Sequence, residues 1–361
     1  MDRYETVKAI GKGSFGTCLL VKHKVTGASY VMKQIPLPTK AAEQEECLQE
    51  AILMSRLHHA NVAHCEDTFL HRGHLCIVME HARGGDLEKV MKKHKTRGAA
   101  MSETIVVDII AQLALALEHL HSRKHPVLHR DIKAANIFLV PVDSNTTAAA
   151  SSGAAGATTT SAPKFHVKLG DFGVSRVLEA SRVLADTTCG TPFFMAPELY
   201  RGVPYSAKAD VWSLGVLAYE LMSQRLPFSA NSMAQLGDAV CRKSPAPLPN
   251  RYSPALRELV MSMLTKDATR RVSAADAVRS PALRARCEAL LAAARTSTSA
   301  SSSSSASSSA SSSSASSVPR LPRISGSTAP SSTGGDDTER QPRNSAPDVM
   351  TVLADGILRE P

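Results

Sequence analysis

The sequence predicts an α+β protein of two lobes, a small mainly β lobe with one key helix followed by a large mainly α lobe. Residues 4–35 alternate or run apolar between turn signals, which is typical of strands. From about residue 101 the apolar residues recur instead at helical spacing. The 361 residues, 43% of them hydrophobic, are enough for one two-lobed unit or two ordinary domains.

The first lobe reads as three strands, a helix and two further strands. YETVKAI, TCLLVKH and SYVMKQI predict the three strands within residues 4–35, because GKGSFG and TG separate them as turn signals. Residues 41–57 carry apolar side chains at helical spacing and predict a helix. Two more strands are predicted near 63–69 and 75–79.

The second lobe reads as mostly helical. Ser102 is a suitable N-cap for a long helix through SETIVVDIIAQLALALEHLHS. IFLV at 137–140 and HVKL at 166–169 predict a short antiparallel hairpin within this lobe. Later segments with a helical pattern are 208–224, 233–242, 254–264 and 273–290.

Two low-complexity stretches belong to neither core. Of residues 144–162, eighteen of nineteen are Ser, Thr, Ala or Gly, and residues 296–317 are a Ser/Ala run. Neither can bury enough apolar area to offset chain entropy, so both are predicted to be disordered. The expected boundaries are a folded domain at 1–290, with lobes at about 1–80 and 85–290, a hinge at 80–84 and an insertion at 141–164, and a disordered tail at 291–361.

Composition argues against several functional classes. The net charge is +9, but the basic residues are scattered, so no nucleic-acid partner is expected. The seven cysteines include no CxxC pair and predict reduced thiols without a disulfide frame or zinc site. Charges interrupt both the N-terminus and the most apolar segment, so neither a signal peptide nor a membrane span is expected. A cytoplasmic protein is the resulting expectation. Because no heptad repeat follows residue 290, a monomer is expected.

Three glycines form a G-x-G-x-x-G motif between two predicted strands. Gly11, Gly13 and Gly16 could serve a dinucleotide site, but such a site requires a helix after the glycines. A strand follows here, which predicts a flexible hairpin lid over phosphate groups. Lys33 on the third strand could pair with phosphate oxygens, and Glu50 on the next helix could hold Lys33 in position.

A second group of motifs supplies acids, an amide and a cation. In HRDIKAAN, Asp131 can accept the proton of an attacking hydroxyl, Lys133 can neutralise a transferring phosphoryl group and Asn136 can hold a metal ion. DFG supplies Asp171 as the main Mg²⁺ ligand, and APE closes the segment at 196–198. Phosphoryl transfer needs chiefly positioning and charge neutralisation, and these residues supply both.

Together these motifs resemble the eukaryotic protein kinases over residues 4 to about 290. The resemblance implies the two-lobed protein kinase fold, ATP and Mg²⁺ as cofactors, and transfer of the γ-phosphate to protein substrates. Lys133 two residues after Asp131, together with GTPFFMAPE, is the serine/threonine pattern.

Finer features resemble the NIMA-related kinase (NEK) subfamily. They are IGKGSFG, NIFL, KLGDFGVS, GGDL and CGTPFFMAPEL. Ste20-like kinases share several of these motifs and are the alternative subfamily. A pseudokinase scaffold is the alternative from another class; against it, the strand lysine and the residues expected to act on the phosphate and metal are intact.

The kinase resemblance also implies the residues around the nucleotide. Met79 falls at the gatekeeper position, Glu80 and His81 begin the hinge that contacts adenine, Asp86 is placed to meet the ribose and Phe138 forms the pocket floor. The remaining residues expected to bind the nucleotide are Ile10, Lys12, Cys18 and Val31.

Two of these residues depart from the family pattern. Cys18 and Val31 stand where kinases usually carry Val and Ala, and both remain small and apolar, so ATP should still fit. Cys18 is interpreted either as a reactive thiol or as a small buried hydrophobic residue.

Support and regulatory residues follow from the same resemblance. Asp210 is expected to support the HRD loop, and Arg271 to pair with Glu198. Arg130 could dock a phosphate carried by the activation segment, at Thr187 or its neighbour Thr188.

Thr191 is expected to shape the floor of the substrate site near Asp131. The expected partners are Ser/Thr-containing protein substrates and an upstream kinase, unless the chain phosphorylates itself. Association with the cytoskeleton, centrosome or flagellum is the expected localisation within the cytoplasm.

Overall fold

The computed structural model describes residues 1–13, 16–142, 165–171 and 192–303, and it confirms the two-lobed α+β architecture. The first lobe contains the strands β1 (Tyr4–Gly13), β2 (Gly16–His23), β3 (Ser29–Pro36), β4 (Cys65–His71) and β5 (His74–Glu80), and the helix α1 (Ala41–Ser55). The strands form one antiparallel sheet in the order β1-β2-β3-β5-β4.

Side-chain alternation in the sheet builds two cores. Along β5, Cys76 and Val78 join a small cluster with Tyr4, Val21 and Met32. The intervening residues of β5, Leu75 and Ile77, belong to the main core together with the buried face of α1. This period of two follows from the pleat of a strand, and it leaves α1 packed against one face of the sheet.

The second lobe is mostly helical, as predicted. Its elements are α2 (Leu87–Thr96), α3 (Glu103–His121), β6 (Ile137–Pro141), β7 (Phe165–Leu169), α4 (Pro197–Tyr200), α5 (Ala207–Ser223), α6 (Met233–Arg242), α7 (Pro254–Met263), α8 (Ala274–Val278) and α9 (Arg284–Ser303). The hydroxyl of Ser102 accepts a hydrogen bond from the Ile105 amide and caps α3, as its position in the sequence predicts.

Helix α3 is long and apolar enough to be a candidate membrane span by length and composition. However, 67% of its apolar window is buried inside the protein, where it packs against α5, α8 and α9. A core helix passes the same test as a membrane span, so this candidate is weak.

Three differences from the predicted elements have physical causes. The single helix expected at 273–290 is two helices, α8 and α9, because Pro281 lacks an amide hydrogen and disfavours helical backbone at Ser280. Helix α9 continues to Ser303, so the tail boundary expected at residue 291 falls inside a helix. Helix α2 was not predicted, since its lysine-rich sequence buries only Leu87, Val90 and His94.

The predicted hairpin is present as β6 and β7. Ile137 pairs with Leu169 at one end, and Pro141 pairs with Phe165 at the other. The low-complexity insertion therefore joins the strands at the end opposite Asn136 and Asp171. Residues 143–164 of the insertion and residues 304–361 of the tail lie outside the described residues, so their predicted disorder stays a prediction.

Candidate functional site

The glycine hairpin joins β1 and β2, next to the strand that carries Lys33. Gly13 pairs with Gly16 and Gly11 pairs with Cys18 across β1 and β2, which confirms a strand after the glycines. Gly16 has φ +145°, and a Cβ atom there would lie 1.9 Å from the carbonyl oxygen of Gln34. A Cβ atom at Gly11 would have no neighbour within 4 Å. The close approach of β3 therefore requires glycine at position 16 but not at position 11.

Alanine substitutions at Gly16 and Gly11 should differ in their effect on stability. We expect Gly16→Ala to lower the free energy of unfolding by about 1–3 kcal/mol, because the hairpin must shift away from β3. Gly11→Ala, the matched control, should leave the melting temperature nearly unchanged. Thermal unfolding of both variants tests this, and equal melting temperatures would contradict it.

Lys33 lies on β3, opposite Cys18 of β2, with only 8% of its surface exposed. Its ammonium forms an ion pair with Oδ1 of Asp171. A buried ammonium needs such a partner, because desolvation is costly for an unpaired charge. The side chain of Glu50, expected to hold Lys33, lies outside the described side chains, so that pair stays a prediction.

The HRD loop brings Asp131, Lys133 and Asn136 together. Lys133 Nζ lies 2.8 Å from Asp131 Oδ2. Asn136 Nδ2 donates to the same Oδ2 at 2.8 Å and to the Asp131 carbonyl, also at 2.8 Å. The carboxylate is thereby fixed by a cation and an amide, a geometry suited to orienting a hydroxyl group in front of it.

Asp210 holds the backbone of the HRD loop, as predicted. Its carboxylate accepts hydrogen bonds from the backbone amides of His129 and Arg130, both at 2.9 Å. The hydroxyl of Tyr205 donates to it at 2.8 Å, and Nε2 of His121 lies 2.9 Å from it. Burial acts to raise the pKa of Asp210, but the hydrogen bonds and charges of His121 and His129 lower it on balance.

His129 joins the HRD loop to Gly170, between β7 and Asp171. Its Nδ1 accepts from the Asp131 amide at 3.3 Å, so the proton is assigned to Nε2, which donates to the Gly170 carbonyl at 3.0 Å. Burial lowers the pKa of His129, in keeping with a neutral ring. The Gly170 amide in turn donates to the Asn136 carbonyl at 3.0 Å, which places Asn136 next to Asp171.

Asn136 and Asp171 fit the metal role predicted for them. Because Asn136 Nδ2 is engaged by Asp131, its Oδ1 is the atom left to face a cation, and Asp171 supplies a carboxylate. Hard oxygen donors of this kind suit Mg²⁺. The described parts of the chain contain no group of three or more His, Cys, Asp and Glu side chains that could hold a metal ion.

The residues expected around adenine lie on strands of both lobes and at the end of β5. Val31 pairs with Met79 across β3 and β5. A Cβ atom at Gly170 would lie 2.7 Å from the Phe138 ring, so that ring packs directly against the backbone beside Asp171. Ile10 and Lys12 are exposed on β1, and burial lowers the pKa of His81 just beyond β5.

The structure adds information on Cys18 and Asp86. Burial raises the pKa of the Cys18 thiol despite the lowering effect of Lys33, which favours the apolar interpretation over a reactive thiolate. Asp86 caps α2 by accepting from the Lys89 amide at 2.9 Å, and its other oxygen lies 2.8 Å from Lys89 Nζ. This capping role is additional to the predicted ribose contact, which stays a prediction.

Arg271 and Glu198 form the predicted pair, deep in the second lobe. Arg271 Nη1 and Nη2 donate to the two carboxylate oxygens of Glu198 at 2.7 and 2.8 Å. Arg271 also donates to the carbonyls of Lys208 and Thr265 and lies over the Trp212 ring. The pair therefore ties α4 to α5 and to the segment before α8.

The regulatory threonines, Thr187, Thr188 and Thr191, lie outside the part of the chain that the structure describes. Their roles therefore stay predictions. Arg130, expected to dock a phosphate, has the left-handed φ of +68° and donates its amide to Asp210. That backbone geometry is fixed by Asp210.

Two features of the site were missed in the sequence. Lys168, three residues before Asp171, lies 2.8 Å from Glu80 at the hinge. A cavity of about 310 Å³, named here the α2–α5 cavity, adjoins the HRD loop. Its wall includes Met91, Met101, Glu220 and Leu221 beside Lys133. Neither feature has a local sequence signal, since each joins segments distant in the chain.

The family model and the relatives found by comparison with known proteins are all protein kinases. The family described as protein kinase domain matches residues 4–283. Serine/threonine-protein kinase Nek5 of Homo sapiens is 37% identical over 264 residues, covering 73% of this chain and 34% of that protein. Serine/threonine-protein kinase Nek3 of Mus musculus is 36% identical over 274 residues, covering 76% and 48%.

A third relative has a similar identity. The probable serine/threonine-protein kinase nek3 of Dictyostelium discoideum is 35% identical over 283 residues, covering 78% of this chain and 23% of that protein. The chain thus spans roughly a quarter to a half of the length of these curated relatives.

Proposed function

Because the chain belongs to the protein kinase family, we propose that it transfers the γ-phosphate of ATP to serine and threonine side chains of proteins. The observation that carries this proposal is that Lys33 pairs with Asp171, while Lys133 and Asn136 hold the carboxylate of Asp131. A hydrogen bond from the Gly170 amide to the Asn136 carbonyl joins the two groups. The similarity to Nek kinases supports a NIMA-related activity over a Ste20-like one.

The nucleotide would lie between the glycine hairpin and the HRD loop. Lys33, freed from its pair with Asp171, would contact phosphate oxygens, and Asn136 and Asp171 would hold Mg²⁺. When bound, Mg²⁺ would neutralise charge on the phosphates. These residues position the terminal phosphate, which is the main requirement of phosphoryl transfer.

The acceptor hydroxyl would meet Asp131. The carboxylate is held by Asn136 and Lys133 at 2.8 Å, so it can orient the hydroxyl and accept its proton. Lys133 would turn from Asp131 towards the transferring phosphoryl group and offset its charge. The α2–α5 cavity adjoins Lys133 and offers an apolar wall for a substrate side chain. Resemblance to NIMA-related kinases suggests a hydrophobic residue three positions before the acceptor.

The type of acceptor provides the test of this function. The purified chain, given labelled ATP, Mg²⁺ and a basic protein substrate, should yield phosphoserine and phosphothreonine after acid hydrolysis. Labelling confined to phosphotyrosine would contradict the serine/threonine assignment. Absence of any transfer by a folded, nucleotide-bound chain would favour the scaffold alternative.

Activation by phosphorylation is part of the proposal. Thr187 matches the usual phosphosite spacing of the resembled subfamily, and its phosphate would dock on Arg130. We expect Thr187→Ala to lower turnover several-fold, and Thr188→Ala tests the neighbouring residue as the alternate phosphosite. Steady-state rates of both variants check this; unchanged turnover in Thr187→Ala would remove the idea.

The insertion should be dispensable for catalysis. Lengthening a turn of about 4 residues to about 24 costs only about 1.6 kcal/mol by the logarithmic loop-closure rule. Replacing residues 142–163 with a short glycine-containing turn should therefore preserve ATP binding and turnover, as measured by ATP titration and kinase assay. A folded deletion variant without activity would indicate a catalytic role for the insertion.

The cellular setting rests on resemblance alone. We propose a cytoplasmic enzyme, associated with the cytoskeleton, a centrosome or a flagellum, that acts as a monomer on protein substrates. Its activator would be an upstream kinase or a second copy of the chain. Imaging of the tagged chain with and without residues 304–361 would test whether the tail directs this localisation.

A further inference from the structure

Glu80 joins three parts of the molecule at the hinge. It is the last residue of β5, and its carboxylate Oε1 accepts from the His64 amide at 2.8 Å. Its own amide donates to the His64 carbonyl at 3.0 Å. The same Oε1 lies 2.8 Å from Lys168 Nζ on β7. One carboxylate thus connects the hinge, the loop before β4 and the strand that leads to Asp171.

The loop before β4 is itself attached to the second lobe. The Ala63 amide donates to the Leu169 carbonyl at 2.8 Å, and the Leu169 amide donates to the Asn61 carbonyl at 2.9 Å. Asn61 Nδ2 donates to Gln112 of α3 at 2.8 Å. This loop is therefore attached to β7 and α3 through residues 61–63, and to the end of β5 through His64.

Rotation of the lobes would have to alter this junction. Opening the cleft moves the hinge relative to β7, so it would stretch the contact between Glu80 and Lys168. Both side chains are more than half buried, at 30% and 17% exposure, so their attraction is screened less than that of a surface pair. Phe138, the expected floor of the adenine pocket, pairs with Lys168 across β6 and β7.

We propose that Glu80 and Lys168 are positioning residues that hold the two lobes closed on the nucleotide. The proposal rests on the proposed function, since it assigns the nucleotide to the cleft between the lobes. Glu80 was expected to begin the hinge that contacts adenine; the new element is the pair that its side chain forms with Lys168. Breaking the pair favours the open cleft and therefore speeds nucleotide release.

The test is a mutant cycle read by nucleotide dissociation. Stopped-flow release of a fluorescent N-methylanthraniloyl ADP should be about fivefold faster in Glu80→Gln and in Lys168→Met, as loss of a pair worth about 1 kcal/mol implies. The double variant should be no faster than either single one, because one interaction is removed in each case. KM for ATP should rise without a fall in kcat.

Arg284→Met is the matched control, since it removes an exposed ion pair with Glu288 at 2.9 Å on α9. It should leave ADP release unchanged. Unchanged release in both hinge variants, or effects that add in the double variant, would overturn the proposal. A wild-type chain that binds ADP but transfers no phosphate would refute the proposed function alone. Normal transfer with unaltered release in the variants would refute this inference alone.

Discussion

Replacing Asp131 with asparagine should lower kcat by about 10²- to 10⁴-fold, the usual contribution of a positioned acid or base. Asparagine keeps the size of the side chain, and its amide oxygen can still accept the hydrogen bond that Asn136 Nδ2 donates. It loses the charge that pairs with Lys133 and the ability to take the hydroxyl proton. Steady-state kinetics with a protein substrate measure the loss.

The binding of ATP separates this effect from misfolding. Asp131 contacts Lys133 and Asn136, neither of which is expected at adenine, so the Kd for ATP should change little in Asp131→Asn. A variant that binds ATP normally and retains more than about a tenth of the wild-type kcat would contradict the role of Asp131.

Replacing Arg271 with methionine should lower the free energy of unfolding by about 3–5 kcal/mol, the cost of leaving a buried charge without its partner. Glu198 is 7% exposed and would lose both bonds from the guanidinium. The carbonyls of Lys208 and Thr265 would also lose their donors. Urea unfolding followed by circular dichroism measures the change.

Two further variants make this result specific. Arg242→Met removes an exposed pair with Asp238 at 3.2 Å, and its free energy of unfolding should change by about 0.5 kcal/mol or less. Combining Arg271→Met with Glu198→Leu should recover part of the loss, because no buried charge is then left unpaired. Equal destabilisation by Arg271→Met and Arg242→Met would contradict the account.

Local sequence patterns predict much of the fold because strand and helix periods are local properties. The hairpin around the insertion is an example, since β6 and β7 pair as the two apolar runs indicate. The break between α8 and α9 was also readable in principle, because Pro281 stands within the predicted helix. Helix α2 was harder to predict, since its amphipathic face is carried by few apolar residues and one buried histidine.

In the site, contacts between residues close in sequence could be predicted, whereas contacts between distant segments could not. Asp131, Lys133 and Asn136 lie close together in the HRDIKAAN motif, so their proximity follows from the sequence. The contact of Lys168 with Glu80 could not be predicted, because it depends on how β7 docks beside a hinge that is distant in the chain. The pair between Lys33 and Asp171 likewise depends on the approach of the two lobes.

Transfer of labelled phosphate by the wild-type chain and by Asp171→Ala tests the central claim most directly. Both proteins should fold, but only the wild type should label a basic protein substrate from γ-labelled ATP in the presence of Mg²⁺, because Asp171 is the expected metal carboxylate. Equal labelling by the two proteins would show that the phosphate comes from a contaminating kinase or another site. No labelling by either, with the wild type folded and bound to ATP, would show that the chain is a scaffold.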